Sequence, residues 1–267
     1  MFLNNILETL EDWFDVESLN ANGTDDSNDL TEHNTTSNEG EDPPSQTQDE
    51  YEASSENLHY GEVSNYTEWL AADTSWDSSQ FDGVGNPIAD AACWQQQQSG
   101  TSCAVVAQIG VYESITGGEI SEAEACQIAQ ANGWYDPETG TSPGNVGKFL
   151  EHVGIPCEQK YNATLTDIAD ALQRGDKVIV GLDANEIWTP VKDPVLGSPM
   201  EQSNAGHAVW VTGIDQQPDG SVKIILNDSG TPDGQMKAVD AEDFLNAWED
   251  FGNFVVVADA PEQTVLA

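Results

Sequence analysis

Hydrophobic positions beyond residue 86 follow two periods in succession. Residues 103–116, CAVVAQIGVYESIT, are apolar around most of a helical wheel, the pattern of a helix enclosed by its own domain. Residues 121–132, SEAEACQIAQAN, return to an amphipathic spacing behind Ser121, and Glu124 three places on completes a capping-box signature. TSPGNVGKFLEHVGIP predicts a third helix that stops near Gly154, and TLTDIADALQRGDK a fourth, opened by Thr166 or Asp167 and ended at Gly175. The period then shortens. KVIVGLD, HAVWVTGID and SVKIILND read as strands, the last two joined as a hairpin through QQPDG. A helix over DAEDFLNAW and a strand over FGNFVVVAD follow. Helices first and antiparallel strands second predict an α+β fold with the helical half packed on a sheet.

The first 85 residues differ. Leu3, Ile6, Leu7, Leu10, Trp13 and Phe14 form one helical stripe, predicting a short amphipathic helix within residues 1–17. Its polar face is acidic, which suits docking on this chain or a partner better than a membrane surface, and an isolated helix of this length frays readily. Residues 18–85 mix acids with Asn, Ser and Thr and hold too little apolar surface to offset the entropy of ordering, so they are expected to be disordered. The folded domain is expected over residues 86–267.

Charge narrows the range of partners. The 267 residues carry 48 acidic and 7 basic side chains, a formal charge of −41, and no Lys or Arg precedes Lys148. Such a field repels phosphate backbones and anionic lipids, excluding nucleic acid as an expected partner and favouring neutral or basic peptides. No apolar run is long enough to span a bilayer, and the acidic start lacks the basic n-region of a secretory signal. A cytoplasmic protein is expected, with export by an unrecognised route left open. Cys93, Cys103, Cys126 and Cys157 form no CxxC pair and have no histidine at ligand spacing, so free thiols are expected, with no metal and no cofactor.

One of those thiols stands where chemistry could use it. Thr101 or Ser102 can cap the helix that Cys103 opens, placing the sulfur among unpaired first-turn N–H groups that favour a thiolate. The same groups can hold the oxyanion formed when a carbonyl is attacked, and Gln97 in CWQQQQSGTSC, or its neighbour Gln98, could add a side-chain donor. A nucleophile needs a base. Of the four histidines, His33 and His59 fall in the acidic segment and His152 ends a surface helix, whereas His207 heads an apolar strand directly after Gly206. The next strand ends in Asn227 and Asp228, either of which could accept from the imidazole and fix its tautomer.

Glutamine, helix-opening cysteine, Gly-His strand and terminal Asn or Asp, in that order, resemble the papain-like cysteine peptidases. Over residues 94–258, TSCAVVAQ, VGKFLEHVGIP, DKVIVGLD, GHAVWVTGID, LNDSG and FLNAWEDFGNFVVVA are similar to the bacteriocin-processing, double-glycine peptidase group, including its stand-alone bacterial relatives. The resemblance implies a papain-like α+β fold and a hydrolase acting on a peptide or protein substrate. Cys103 would be the nucleophile, His207 the base, Asp228 the orienting acceptor with Asn227 as alternative, and Gln97 the oxyanion donor with Gln98 as alternative. Amidase or transglutaminase-like acyl transfer uses the same order of groups, and an unreactive papain-like domain would instead bind peptides.

Overall fold

The computed structural model describes residues 76–260. The helix expected within residues 1–17 and the disorder expected up to residue 75 lie outside the described residues. In chain order the helices are α1 (Pro87–Asp90), α2 (Cys103–Thr116), α3 (Glu122–Ala131), α4 (Lys148–His152), α5 (Leu165–Arg174), α6 (Ala184–Trp188) and α7 (Ala241–Glu249). The strands are β1 (Val84–Gly85), β2 (Cys157–Lys160), β3 (Lys177–Asp183), β4 (Gly206–Gln216), β5 (Val222–Asn227), β6 (Lys237–Asp240) and β7 (Val255–Ala258).

All seven strands join one antiparallel sheet in the order β2-β7-β3-β4-β5-β6, with β1 added to the far part of β4. Alternation along the central strands sends side chains into two cores. Val178, Val180, Leu182, Val209 and Val211 pack with α5 and α7 on one face. Ile179, Ala208, Trp210, Val256 and Ala258 pack with α2, α3 and α4 on the other. With both faces covered, β3 and β4 read as nearly continuous apolar runs.

Helix α2 lies close against this second face. A Cβ at Gly110 would stand 2.9 Å from the Cys93 carbonyl oxygen and 3.1 Å from the Trp210 ring, so glycine sets the approach of helix to sheet. The buried Gln108 amide ties α2 to the start of α4, donating to Ala104 O and accepting from Gly147 N and Phe149 N. Both contacts fix where the first residue of α2, Cys103, meets β4.

Several local readings shift. Helix α5 is capped by Thr164 rather than Thr166 or Asp167: the Thr164 hydroxyl accepts from Asp167 N while the Asp167 carboxylate accepts from Thr164 N, so Asp167 is the third helical residue of a capping box. The third helix is shorter than its pattern, because a 3-10 turn at Pro143–Asn145 and Gly147 at φ 94° precede α4. Order begins before residue 86. The Trp76 indole donates to Asp215 Oδ2 at 2.7 Å, and Val84 pairs with Ile214, so residues 76–85 lie against β4. No helix among the described residues is long and apolar enough to cross a membrane.

Candidate active site

Cys103 is the first residue of α2. Ser102 occupies the N-cap position but does not cap, since its hydroxyl is drawn to the Glu122 carboxylate at 2.6 Å and to Ser99 O at 3.0 Å. Glu122, buried in the first turn of α3, also accepts from Gln98 N at 2.8 Å and Ser99 N at 3.2 Å. One carboxylate thus shapes the loop that delivers the cysteine, and the N-terminus of α2 keeps its N–H groups free of a side-chain cap.

His207 enters from the start of β4, where it pairs with Leu182 of β3. Its Nε2 lies 2.7 Å from Asp228 Oδ1, leaving Nδ1 to engage the Cys103 sulfur. Asp228 is fully buried just past β5, and it is enclosed by donors: Gly230 N reaches Oδ1 at 2.7 Å and the Trp188 indole reaches Oδ2 at 2.7 Å. The Trp188 ring also packs edgewise on the imidazole, centroids 5.2 Å apart. Asn227 points elsewhere, as strand alternation requires. Its amide nitrogen donates to Asp90 O and its oxygen accepts from Met236 N.

The electrostatics follow from these contacts. Burial opposes ionisation of the Cys103 thiol, yet His207 and the N–H groups of Ala208 and Ala104 outweigh it and hold the thiol below its ordinary pKa. Burial likewise opposes a charged imidazole, but Asp228 and then Cys103 push His207 up to about 10. Burial works against the Asp228 carboxylate too, and His207, Trp188 and Gly230 together keep its pKa below the usual value. The remaining thiols move the opposite way. Burial raises Cys93, pushes Cys126 up to about 11 and pushes Cys157 up to about 12. Cys103 is the one cysteine of the four whose pKa is lowered.

A cleft of about 270 Å³ opens over this pair. Thr101, Gly140 and Pro143 line the helical side, Gly206, Ala208 and Phe251 the sheet side, with Cys103 and His207 between them. Neither Gln97 nor Gln98 is among the lining residues. The Gln97 amide donates to Ser99 O at 2.8 Å and accepts from the Ser229 hydroxyl at 2.9 Å, joining the cysteine loop to the aspartate loop. Gln98 is exposed. Trp188, Glu122 and the Ala208 N–H were not singled out for these contacts by the sequence. A tryptophan in a Pro-rich stretch and a glutamate in a helix's first turn carry no signal of their tertiary partners.

A cysteine opening a helix of one layer, with histidine and acceptor supplied by an antiparallel sheet, defines the papain-like architecture, and this chain has that α+β fold. More narrowly, the chain belongs to the Peptidase_C39 like family, whose model matches residues 79–256. The resemblance read in the sequence is therefore borne out at the level of family. Proteins of Mycobacterium tuberculosis and Mycobacterium bovis, both named only as uncharacterized, are 30% identical over 204 residues, covering 65% of this chain and 83% of each relative. Among solved structures, a candidate C39-like peptidase from Bacillus anthracis matches 68% of this chain and 100% of its own, with 12% identity and a TM-score of 0.47. A recombinant stem bromelain precursor matches 69% of this chain and 73% of its own, with 16% identity and a TM-score of 0.39.

Proposed function

We propose that the protein is a cysteine peptidase that cleaves peptide bonds through Cys103, His207 and Asp228. The observation carrying this reading is the paired displacement of two neighbouring groups, a thiol held below its ordinary pKa beside an imidazole raised to about 10, with Asp228 2.7 Å behind it. Such a pair favours the form with a thiolate on Cys103 and an imidazolium on His207. The thiolate attacks the substrate carbonyl, whose oxygen takes the negative charge and turns toward the N–H groups at the start of α2. His207 then gives its Nδ1 proton to the leaving amine as the C–N bond breaks, leaving a thioester on Cys103. Neutral His207 next takes a proton from water, the hydroxide adds to the thioester, and the acid departs as the sulfur is released.

In this reading Asp228, not Asn227, is the orienting acceptor, because both ends of the Asn227 amide are committed to Asp90 and Met236. Gln97 is the proposed side-chain oxyanion donor. Ser99 O engages one of its amide N–H groups, and an amide nitrogen carries two. The charge of −41 favours neutral or basic peptides as substrates. Iodoacetamide alkylation across pH 4 to 10, mapped to Cys103, tests the proposal. Rapid modification below pH ~8.5 that disappears in His207→Ala supports the activated pair. An ordinary thiol profile at Cys103, unaffected by His207→Ala, would overturn it. Product mass from a peptide substrate with and without an added amine separates hydrolysis from acyl transfer.

A further inference from the structure

Beside the start of the strand that carries His207, where Asp183 pairs with Gly206, lies a second group of titratable side chains that the peptidase chemistry does not use. Asp183, Glu186 and Asp250 each direct a carboxylate oxygen to one place, and those oxygens lie within 4.8 Å of one another. Asp183 ends β3 and caps α6, Glu186 lies in the first turn of α6, and Asp250 follows α7. The described ion pairs bring no Lys, Arg or His to any of the three.

Their hydrogen bonds leave a consistent remainder. Asp183 is fully buried, and its Oδ1 accepts from Asn185 N and Ala205 N, both at 2.9 Å, whereas its Oδ2 accepts nothing. Asp250 Oδ2 is also buried and unpartnered. Glu186 is 2% exposed, with Oε1 accepting from Gln202 N at 2.9 Å and Oε2 from the Asn246 amide. A buried carboxylate oxygen without a donor is costly, and two beside a third carboxylate repel as well. Burial, then the charges of Asp250 and Asp183, raises the Glu186 pKa, and burial with Glu201, Asp183 and Glu249 raises that of Asp250.

We propose that Asp183, Glu186 and Asp250 form a binding site for a hard divalent cation of the calcium class. Oxygens about 2.4 Å from a shared ion lie at most about 4.8 Å apart, and the three oxygens here all fall within that limit. A set of carboxylates without sulfur or imidazole selects against zinc and copper. Water completes the six to eight ligands that calcium takes.

The bound ion ties together three segments around the cleft. Helix α6 carries Trp188, which holds Asp228 and packs on His207. Asp183 holds Ala205 N, two residues before His207. Asp250 precedes Phe251, which lines the cleft and touches the position of Gly206. The ion fixes the backs of these residues and takes no part in proton or acyl transfer. Its binding is independent of the peptidase reading.

The test uses the full chain, stripped with EDTA, and follows thermal unfolding and calorimetric binding of Ca²⁺ at pH 7.5. Because the acidic chain attracts cations generally, Asp250→Asn is measured in parallel; the buried Asp250 Oδ2 accepts no hydrogen bond, so this change removes a repelling charge without stranding a donor. Glu186→Gln serves as a second variant of the same shape. The expected result is a Tm rise of about 5 °C or more in the wild type at ~1 mM Ca²⁺, lost in both variants, with Asp250→Asn in EDTA at least as stable as the wild type. An equal rise in all three proteins would place the ions elsewhere on the acidic surface and overturn the site. No rise and no binding heat in the wild type would mean that protons neutralise the cluster, which also overturns it.

Discussion

Replacing Asp228 with asparagine keeps the shape of the side chain and removes its charge. Three donors converge on the carboxylate: His207 Nε2 and Gly230 N on Oδ1, and the Trp188 indole on Oδ2. An amide has one accepting end, so in either orientation it strands a buried donor, at about 1–3 kcal/mol. For a domain of this size that lowers Tm by roughly 2–12 °C. The larger effect is electrostatic. Burial works against the His207 imidazolium, and Asp228 is the main support that raises its pKa to about 10. Without that charge the proton returns to the sulfur, and Cys103 reverts toward a thiol with a pKa of about 8.5 or higher. At pH 6.5 such a thiol is about 1% ionised, so alkylation of Asp228→Asn should fall about 100-fold below a mainly ionised wild type. At pH 9.5 the two should differ little, because an ordinary thiol has then ionised too. Stopped-time iodoacetamide labelling with peptide mapping at both pH values reads this directly. A ratio of rates that stays the same at pH 6.5 and 9.5 would refute the claim that Asp228 sets the charge of the pair.

Trp188→Phe keeps most of the ring packed on His207 but removes the indole N–H from Asp228 Oδ2, so it should reproduce the low-pH loss of labelling in weaker form, as a rise in the apparent Cys103 pKa. Glu122→Ala leaves Gln98 N and Ser99 N without their acceptor, while the Ser102 hydroxyl falls back on Ser99 O, and at about 1 kcal/mol or more for each N–H this should lower Tm by roughly 4–8 °C in differential scanning calorimetry. Gly110→Ala drives a methyl to 2.9 Å from Cys93 O, and the overpacking should cost about 1–3 kcal/mol in denaturant unfolding. The pair also shapes stability against pH. His207, raised in the fold, contributes fully below its unfolded pKa of about 6.5 and loses that contribution as pH climbs through about 10. Cys103, lowered in the fold, contributes above about 8.5 and loses it as pH falls through its folded value. Above pH ~8.5 the unfolded pair has lost both protons while the native pair keeps one on His207, so the difference in stability between wild type and the Cys103→Ala, His207→Ala double variant should fall as pH climbs from there toward 10.

How much of this was legible in the sequence depended on whether a residue's role is carried by its neighbours in the chain. The period of α2, the apolar runs of β3 and β4, and the glycine stop of α5 are local properties, and they were readable. Cys103 and His207 stood out because each breaks a local pattern, a thiol at a helix start and an imidazole heading an apolar strand. The third position needed one more fact. Strand alternation put Asn227 and Asp228 on opposite faces, but only the register, Trp210 opposite Asn227, decides which face meets His207. Short strands such as β2 and β6 left no trace, since four residues of mixed polarity owe their conformation to the partner they pair with. Glu122 and Asp183 were invisible for the same reason, as was the partner of the Trp188 indole. Each serves through residues at least 20 positions away or through a second segment, from Ser102 to Asp228. Their removal should therefore reveal itself in the pH at which Cys103 reacts or in the temperature at which the domain unfolds, rather than in any change of the local helix or strand that holds them.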